Sequence, residues 1–185
     1  ERVRFDPNAS PLPRRNGPMQ ARFIRVTNDT PKGVLHLAEV EIYSGGVNLA
    51  LDAQASQSSQ FGDASANRAI DGNTNGEFGQ KSVTHTKDET MPWLEIDLGS
   101  EKRMDQIKVY NRRDRLEHRL QNFWVVAYNA KREPLWATRG EKAPMPIWEA
   151  DLPQSFEEFS KEQNRTLQTF IQQNDPKKVK ATQKQ

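Results

Sequence analysis

The stretch Trp93-Leu94-Glu95-Ile96-Asp97-Leu98 alternates apolar and polar residues without interruption. A period of two is that of a β-strand with one buried face, and it places Leu94, Ile96 and Leu98 together on that face. The segment therefore predicts a strand that covers one side of a hydrophobic core.

Comparable short segments lie on both sides of this strand. They comprise residues 22–26 and 35–43 upstream, and 106–110, 123–128, 135–138 and 146–148 downstream. Turn residues such as Ser44-Gly45-Gly46 separate them, and helical periodicity is almost absent before residue 150. This pattern predicts an all-β protein built as an antiparallel β-sandwich or barrel over residues 21–152.

Two segments carry more detailed expectations about which side chains face the core. In 106–110 we expect Ile107 and Val109 to point inward. In 35–43 the alternation divides the chain into one face with Leu35, Leu37, Glu39, Glu41 and Tyr43 and another with His36, Ala38, Val40 and Ile42.

Residues 47–92, by contrast, are rich in Ser, Asn and Gly and carry few strand signals. A long irregular stretch of this kind is usually functional or held by a ligand or ion.

The two ends of the chain differ from this middle. Residues 1–20 contain four prolines and predict an extended leader. Residues 153–175 carry apolar side chains at roughly helical spacing after a capping box formed by Ser155 and Glu158, which predicts an amphipathic helix. Residues 176–185 form a basic tail. We expect the helix to pack on the sandwich or to lead into a following domain, and a partner-binding helix is the alternative.

Composition excludes several classes of function. The 27 Lys and Arg residues nearly balance the 25 Asp and Glu residues, so there is no general reason to expect a nucleic-acid partner. The chain has no cysteine, which excludes disulfides and thiolate metal sites. No apolar stretch approaches the roughly 18 residues that a membrane span needs. We therefore expect neither nucleic-acid binding nor a membrane span.

Four charged residues stand out by their spacing. His85 is separated from Arg112 by 26 residues, Asp114 follows two positions later, and Arg119 stands five positions further on. Arginine supplies a rigid fork of hydrogen-bond donors, and histidine adds a ring donor or acceptor. Two arginines and a histidine that converge on neighbouring hydroxyls would form a clamp for a monosaccharide, with the aspartate orienting an arginine.

This set resembles the signature of the F-type lectins, or fucolectins, in which a histidine, an Arg-x-Asp triplet and a further basic residue stand at the same spacing. Other segments resemble the family as well, namely 48–50, 55–58, 69–73, 82–86 and 92–98. The resemblance covers roughly residues 21–150 and implies a jelly roll of the galactose-binding-domain type. It also implies that His85, Arg112 and Arg119 hold a terminal L-fucose-type sugar while Asp114 supports them.

Fucose carries a methyl group where galactose carries a hydroxymethyl, so its pocket needs an apolar wall. Phe61 and Phe78 lie in the irregular segment and are the candidates for that wall. The alternative is that either ring anchors its loop to the core. Members of the family often carry two adjacent cysteines between the arginines, where this chain has Arg115 and Leu116, so contacts beyond the terminal sugar are expected to differ.

The resemblance also implies a structural calcium ion near the Asp-Gly-Asn turn. Calcium favours irregular, oxygen-only coordination that includes main-chain carbonyls. The positions that match the ligands of the family are Asp71, Asn73, Ser82 and the carbonyl of Arg68. By itself an Asp-Gly-Asn sequence is also a common turn.

The order of the segments differs from that of the family. The pattern of its last strands occurs here first, as Arg22-Phe23-Ile24-Arg25-Val26 and Leu37-Ala38-Glu39-Val40-Glu41-Ile42-Tyr43. We interpret this order as a circular permutation, in which Glu39 and the Ala38 carbonyl complete the calcium shell. The alternative is that residues 21–43 are the tail of a preceding repeat.

Catalysis by this chain is not expected. Glu95 and Asp97 alternate with core residues on a strand, and the three histidines have no metal-ligand spacing. Phosphate loops and nucleophile elbows are absent from the sequence. We therefore expect a carbohydrate-binding module for fucosylated or related glycans, in a secreted, periplasmic or cell-surface location and within a larger exported bacterial protein. The alternatives are a discoidin-like module that binds another glycan, a protein or a phospholipid surface, or a non-catalytic domain appended to an enzyme.

Overall fold

The structure, a computed structural model, describes residues 18–154 and 161–174. Most of the expected leader, the start of the expected helix and the basic tail lie outside these residues. The described elements are, in chain order, β1 (Gln20–Asn28), β2 (Leu37–Ser44), β3 (Val47–Asn48), β4 (Gln54–Gln57), β5 (Trp93–Arg103), β6 (Gln106–Asn111), β7 (Phe123–Tyr128), β8 (Pro134–Gly140), β9 (Ile147–Asp151) and α1 (Lys161–Gln173).

The strands form two antiparallel sheets that pack face to face. One sheet has five strands in the order β4-β5-β1-β7-β8, and the other has four in the order β3-β2-β6-β9. Every strand pair in both sheets is antiparallel. The prediction of an antiparallel β-sandwich is therefore confirmed.

The inner faces of the two sheets supply one hydrophobic core. Leu94, Ile96 and Leu98 of β5 and Ile107 and Val109 of β6 all belong to it, as their alternation predicts. Full burial of an aliphatic side chain of this size contributes about 1.5–3 kcal/mol. The core therefore fixes the register of these strands, because a slip of one residue would expose their apolar face.

Strand β1 lies in the middle of the five-stranded sheet. Ile24 is paired with Ile96 of β5 on one side and with Ala127 of β7 on the other. The expectation that strand 22–26 pairs within the sandwich that contains 93–98 and 123–128 is confirmed. Such a pairing is what the interpretation as a circular permutation requires, since the first strand of the described residues completes the sheet of the strands that follow it.

The faces expected for residues 35–43 were wrong. Leu35 and Leu37 share the core with Val40 and Ile42, although the strict alternation would place these two pairs on opposite faces. The cause is a shift of register between Leu37 and Glu39 where β2 pairs with β6. A bulge adds one residue to a strand and thereby exchanges the faces of all residues beyond it.

The irregular segment 47–92 is held by short elements rather than by long strands. It contains β3 and β4 and three short 3₁₀ helices, at Leu49–Asp52, Ala66–Ala69 and Phe78–Gln80. Two of these 3₁₀ helices lie between β4 and β5. Most site residues expected from the sequence lie between β4 and β5 or in the loop after β6, whereas Ala38 and Glu39 lie in β2.

Helix α1 packs on the outer face of the five-stranded sheet. Leu167 and Phe170 are buried there against Trp124, Val126 and Ala137. The helix ends at Gln173, and the Asn174 side chain donates to the Phe170 carbonyl at 2.9 Å. The predicted C-terminal helix is confirmed for these residues, whereas its expected capping box at Ser155 and Glu158 lies outside the described part of the chain.

Glu95 and Asp97 are occupied by ion pairs on the outer face of β5. Glu95 accepts hydrogen bonds from Arg25 and Arg132, and Asp97 accepts two from Arg22. These contacts agree with a structural role for both carboxylates. Over residues 18–154 and 161–174, no helix is long and apolar enough to cross a membrane.

Candidate functional site

Two short antiparallel segments place His36 opposite His85. The Leu35 N–H donates to the Thr86 hydroxyl at 2.9 Å, and the Thr86 N–H donates to the Leu35 carbonyl at the same distance. Leu37 and Thr84 exchange an equivalent pair of bonds. Because the two segments run antiparallel, the residues between these pairs lie directly opposite each other. The two imidazole centroids are 5.4 Å apart.

The His85 ring is packed among aromatic side chains. The Phe61 ring lies 5.1 Å from it and the Phe78 ring 5.5 Å from it, measured between centroids. Phe61 is 54% exposed, so one of its faces is open to solvent. The two phenylalanines expected to form an apolar wall thus both lie next to the His85 ring.

The protonation of His85 follows from its hydrogen bond. Its Nδ1 atom is 2.6 Å from the Thr86 carbonyl, which can only accept, so this nitrogen carries the proton. Burial lowers the pKa of His85, and the charges of Arg112 and Arg119 lower it further. The ring is therefore neutral at neutral pH, and its Nε2 atom is a hydrogen-bond acceptor.

Arg112 is held in one orientation. Its guanidinium lies 4.6 Å from the centroid of the Phe78 ring. Its Nη2 atom donates to Asp114 Oδ2 at 2.8 Å, and its Nε atom donates to the other oxygen of the same carboxylate. The Phe78 N–H also donates to Asp114 Oδ2, at 3.3 Å. The hydrogen bond from Arg112 keeps the pKa of Asp114 below its ordinary value.

Arg119 differs from Arg112 in being exposed. It lies in the 3₁₀ helix Glu117–Arg119, and its carbonyl accepts a hydrogen bond from the Asn28 side chain at 3.0 Å. Its guanidinium has no ion-pair or ring partner within residues 18–154 and 161–174. Its charge nevertheless lowers the pKa of both His36 and His85, which places it near the pair.

His36 is a member of this cluster that sequence reasoning missed. It is 1% exposed, and neither ring nitrogen has a hydrogen-bond partner. Burial lowers its pKa to about 3, with further contributions from His85, Arg112 and Arg119. A signal was present in the sequence, since His36 interrupts the apolar run of Val34, Leu35, Leu37 and Ala38.

A cleft of about 560 Å³ begins at Arg119. Its other walls come from the end of β1 and from the loops that follow β1, precede β5 and precede β7. The lining residues are Asn28, Asp29, Thr30, Lys32, Gly33, Val34, Asp88, His118, Arg119, Gln121 and Asn122.

Among the expected calcium residues, Asp71 lies near Glu39. Glu39 is fully buried; its Oε1 atom accepts a hydrogen bond from the Gly72 N–H at 3.1 Å, and its Oε2 atom is buried without a partner. Burial raises the pKa of Glu39 to about 7, and the nearby Asp71 carboxylate raises it further. A cation between the two carboxylates would stabilise their ionised forms and so oppose this rise of the pKa.

The other expected ligands are distributed along the same loop. Asp71 and Asn73 are exposed, and each side chain accepts a hydrogen bond from the N–H two residues on. The Ser82 hydroxyl donates to the carbonyls of Asn75 and Glu77 and so gathers three oxygens. The Arg68 side chain reaches the Val83 carbonyl and Asp63.

This donor set suits a hard cation. Across the described residues, no group of three or more His, Asp or Glu side chains is arranged to hold a metal ion. A site here would therefore use carboxylate, amide, hydroxyl and carbonyl oxygens together, which is the chemistry of calcium. The orphaned Glu39 oxygen is the observation that fits such an ion best.

The loop around Glu39 is joined to the arginine segment. The Arg113 N–H donates to the Gly76 carbonyl at 2.8 Å. A Cβ atom added at Gly76 would lie 2.8 Å from the Arg113 nitrogen, closer than real Cβ contacts allow. Only glycine permits this approach, so the two segments are locked together beside Arg112 and Asp114.

Comparison with known proteins adds independent information. The family model described as a NedA-like, galactose-binding domain matches residues 68–143. A fucose binding module of Streptococcus pneumoniae is 32% identical in sequence, with a TM-score of 0.57, and the alignment covers 61% of this chain and 81% of that one. The lectin domain of lectinolysin complexed with Lewis b antigen is 34% identical, also with a TM-score of 0.57, over 59% and 79% of the two chains. A histidine mutant of the lectinolysin domain complexed with Lewis b is 33% identical, with the same TM-score, over 61% and 80% of the two chains. No curated protein matches the chain.

Proposed function

The chain belongs to the family of F-type lectins and discoidin-like galactose-binding domains, and we propose that it binds the terminal L-fucose-type sugar of a glycan at His85. The observation that carries this proposal is the grouping of a neutral histidine, two arginines and two phenylalanines at one end of the sandwich. These groups offer a sugar both polar and apolar contacts.

The polar contacts are complementary in kind. The free Nε2 atom of His85 accepts a hydrogen bond from one sugar hydroxyl, because Nδ1 already donates to Thr86. The guanidinium groups of Arg112 and Arg119 donate to neighbouring hydroxyls or to the ring oxygen. Asp114 and the Phe78 ring hold Arg112 in place before the sugar arrives, which reduces the entropy lost on binding.

Phe61 is better placed than Phe78 to contact the methyl group of the sugar. The Phe78 ring already contacts His85 and Arg112, whereas Phe61 is 54% exposed. A methyl group on the sugar would cover part of the exposed Phe61 ring. A hydroxymethyl group at the same position would be desolvated there without a hydrogen-bond partner, which favours fucose over galactose.

The cleft beside Arg119 gives room for the rest of a glycan. The lectinolysin domain is complexed with Lewis b, an antigen larger than one sugar. In our proposal the terminal sugar lies in the clamp and the next sugar residues extend along the cleft. Binding of a fucosylated oligosaccharide should then be tighter than binding of L-fucose.

A structural calcium ion is part of the proposal. Its ligands would come from Asp71, Asn73, Ser82 and Glu39, together with the carbonyls of Arg68 and Ala38. The buried, unpartnered Glu39 oxygen and its neighbour Asp71 support an ion at this place. When bound, calcium would neutralise the two carboxylates and fix the loop that carries Phe78.

We expect no catalysis by this chain, since its site offers binding groups in fixed positions and its solved relatives are binding modules. Such modules act where glycans are displayed. We therefore propose a secreted, periplasmic or cell-surface location, with other domains of a larger chain as further partners.

A glycan array with calcium-loaded protein tests the function, followed by titration calorimetry with L-fucose and D-galactose. We expect fucosylated glycans to bind and L-fucose to bind more tightly than D-galactose. Equal or absent binding of the two sugars would contradict the fucose assignment. Binding to phospholipid vesicles or to a protein, with an empty array, would instead identify a discoidin-like module.

A further inference from the structure

His36 is a buried histidine whose presence the fold does not explain. It is 1% exposed, and both ring nitrogens lack a hydrogen-bond partner. A neutral imidazole has one donor and one acceptor, and each costs roughly 1–3 kcal/mol when it is buried unpaired. An apolar residue such as the neighbouring Leu35 or Leu37 would avoid this cost.

The position of His36 ties it to the sugar clamp. It lies directly opposite His85, with 5.4 Å between the ring centroids, because the bonds of Leu35 and Leu37 to Thr86 and Thr84 set this register. The charges of Arg112, Arg119 and Asp114 all act on its ring. His36 therefore lies behind His85, on the buried side of the residues that would hold the sugar.

We propose that His36 forms the floor of the sugar pocket, where its ring nitrogens hydrogen-bond the bound sugar directly or through one trapped water molecule. The inference rests on the proposed function and goes beyond it, since it assigns a binding role to a residue outside the spaced set of His85, Arg112, Asp114 and Arg119. The bound sugar supplies the partners that the folded chain lacks.

The floor adds a property that the rest of the clamp does not have. The arginines only donate hydrogen bonds, and His85 has only an acceptor left because its N–H is used by Thr86. His36 offers a donor and an acceptor on one neutral ring. The two nitrogens point in different directions, so one can hydrogen-bond a sugar hydroxyl while the other holds a trapped water molecule.

The test compares His36→Phe with His36→Gln. Phenylalanine keeps the size of the ring and removes both polar atoms, whereas glutamine keeps one donor group and one acceptor. We expect His36→Phe to bind L-fucose at least about tenfold more weakly, while the melting temperature of the sugar-free protein stays equal or rises. His36→Gln should recover part of the affinity.

Trp136→Phe is the matched control. Trp136 of β8 is 2% exposed, and its indole N–H is also buried without a partner, but it belongs to the hydrophobic core between the sheets. Its substitution should change stability and leave the affinity for L-fucose unchanged. A general effect of loosening the interior would appear in both variants.

Unchanged affinity in His36→Phe, with normal binding by the wild type, would overturn this inference and leave the proposed function standing. Absence of sugar binding by the wild type would overturn both. If His36→Phe fails to fold, the ¹⁵N chemical shifts of the His36 ring in the wild type decide instead. They should move on addition of L-fucose and stay fixed with D-glucose, and no movement at saturating L-fucose would overturn the floor assignment.

Discussion

At the scale of single residues, the two arginines of the clamp have different surroundings although their spacing alone makes them equivalent. Arg112 is 7% exposed, lies on Phe78 and is paired with Asp114. Arg119 projects into solvent. The spacing places both arginines in the clamp, and the ion pair with Asp114 indicates that Arg112 also holds its loop.

We expect Arg119→Ala to weaken L-fucose binding by about tenfold to a hundredfold with little change in stability, because a hydrogen bond from a charged donor contributes roughly 1.5–3 kcal/mol. Arg112→Ala should weaken binding as much and also lower the free energy of unfolding by about 1–3 kcal/mol, since it leaves Asp114 unpaired. Titration calorimetry and denaturant unfolding measure the two effects. Unchanged binding in both variants would show that the pocket lies elsewhere.

The affinity for L-fucose should depend on pH through His85. Its pKa lies below the ordinary 6.5, mainly because of burial, so the acceptor Nε2 is present at neutral pH. Protonation of Nε2 removes that acceptor and adds a third positive charge to the clamp. The free protein then binds a proton that the complex does not, so affinity stays level from pH 8 to about 6.5 and falls at lower pH.

Calorimetry at several pH values gives this profile, and His85→Gln is its control. Glutamine cannot titrate, so this variant should bind more weakly but lose the decline in acid that belongs to His85. An equal decline in both proteins would assign the titration to another group.

At the scale of elements, the buried faces of the regular strands β5 and β6 could be predicted from the sequence, whereas those of the bulged strand β2 could not. The alternation of β5 and β6 specifies the inner face because those strands are uninterrupted. In β2 the bulge after Leu37 exchanges the two faces, and no residue type in the segment marks where the extra residue is accommodated. The bulge is decided by pairing with β6, a contact between distant parts of the chain.

Glu39 directly follows this bulge, and it is the buried carboxylate of the proposed calcium site. A chelator should lower the melting temperature of the wild type and added calcium should restore it, because a ligand that binds only the folded state at a hundred times its Kd stabilises by about 2.7 kcal/mol. Glu39→Gln should lose most of this response, since it removes one buried carboxylate of the proposed shell.

Glu41→Gln on the same strand is the matched control. Glu41 accepts a hydrogen bond from the Tyr110 hydroxyl at 2.9 Å, so its substitution changes a carboxylate outside the proposed shell. It should keep the full thermal response to calcium. If the wild type responds to neither chelator nor calcium, the ion is not bound at this place.

At the scale of the whole molecule, the spacing of His85, Arg112, Asp114 and Arg119 predicts that these residues form a cluster. Only the fold shows which residue lies beneath that cluster. The spacing cannot indicate that His36, nearly 50 residues before His85, lies behind it. That contact depends on the antiparallel register between residues 35–37 and 84–86, which involves two threonine hydroxyls as well as the main chain. The pattern of residues 22–26 predicts a strand of the same sandwich, whereas its place between β5 and β7 depends on contacts between distant parts of the chain.

The close approach of Gly76 to Arg113 joins the loop of the proposed ion to the segment of the proposed sugar. Two ligands that bind to joined segments share the cost of ordering them, so occupancy of either lowers the cost for the other. Such coupling is reciprocal: the factor by which calcium tightens fucose binding must equal the factor by which fucose tightens calcium binding. On a surface that displays many fucose groups, the chain would therefore retain its ion at calcium concentrations too low to load it in free solution.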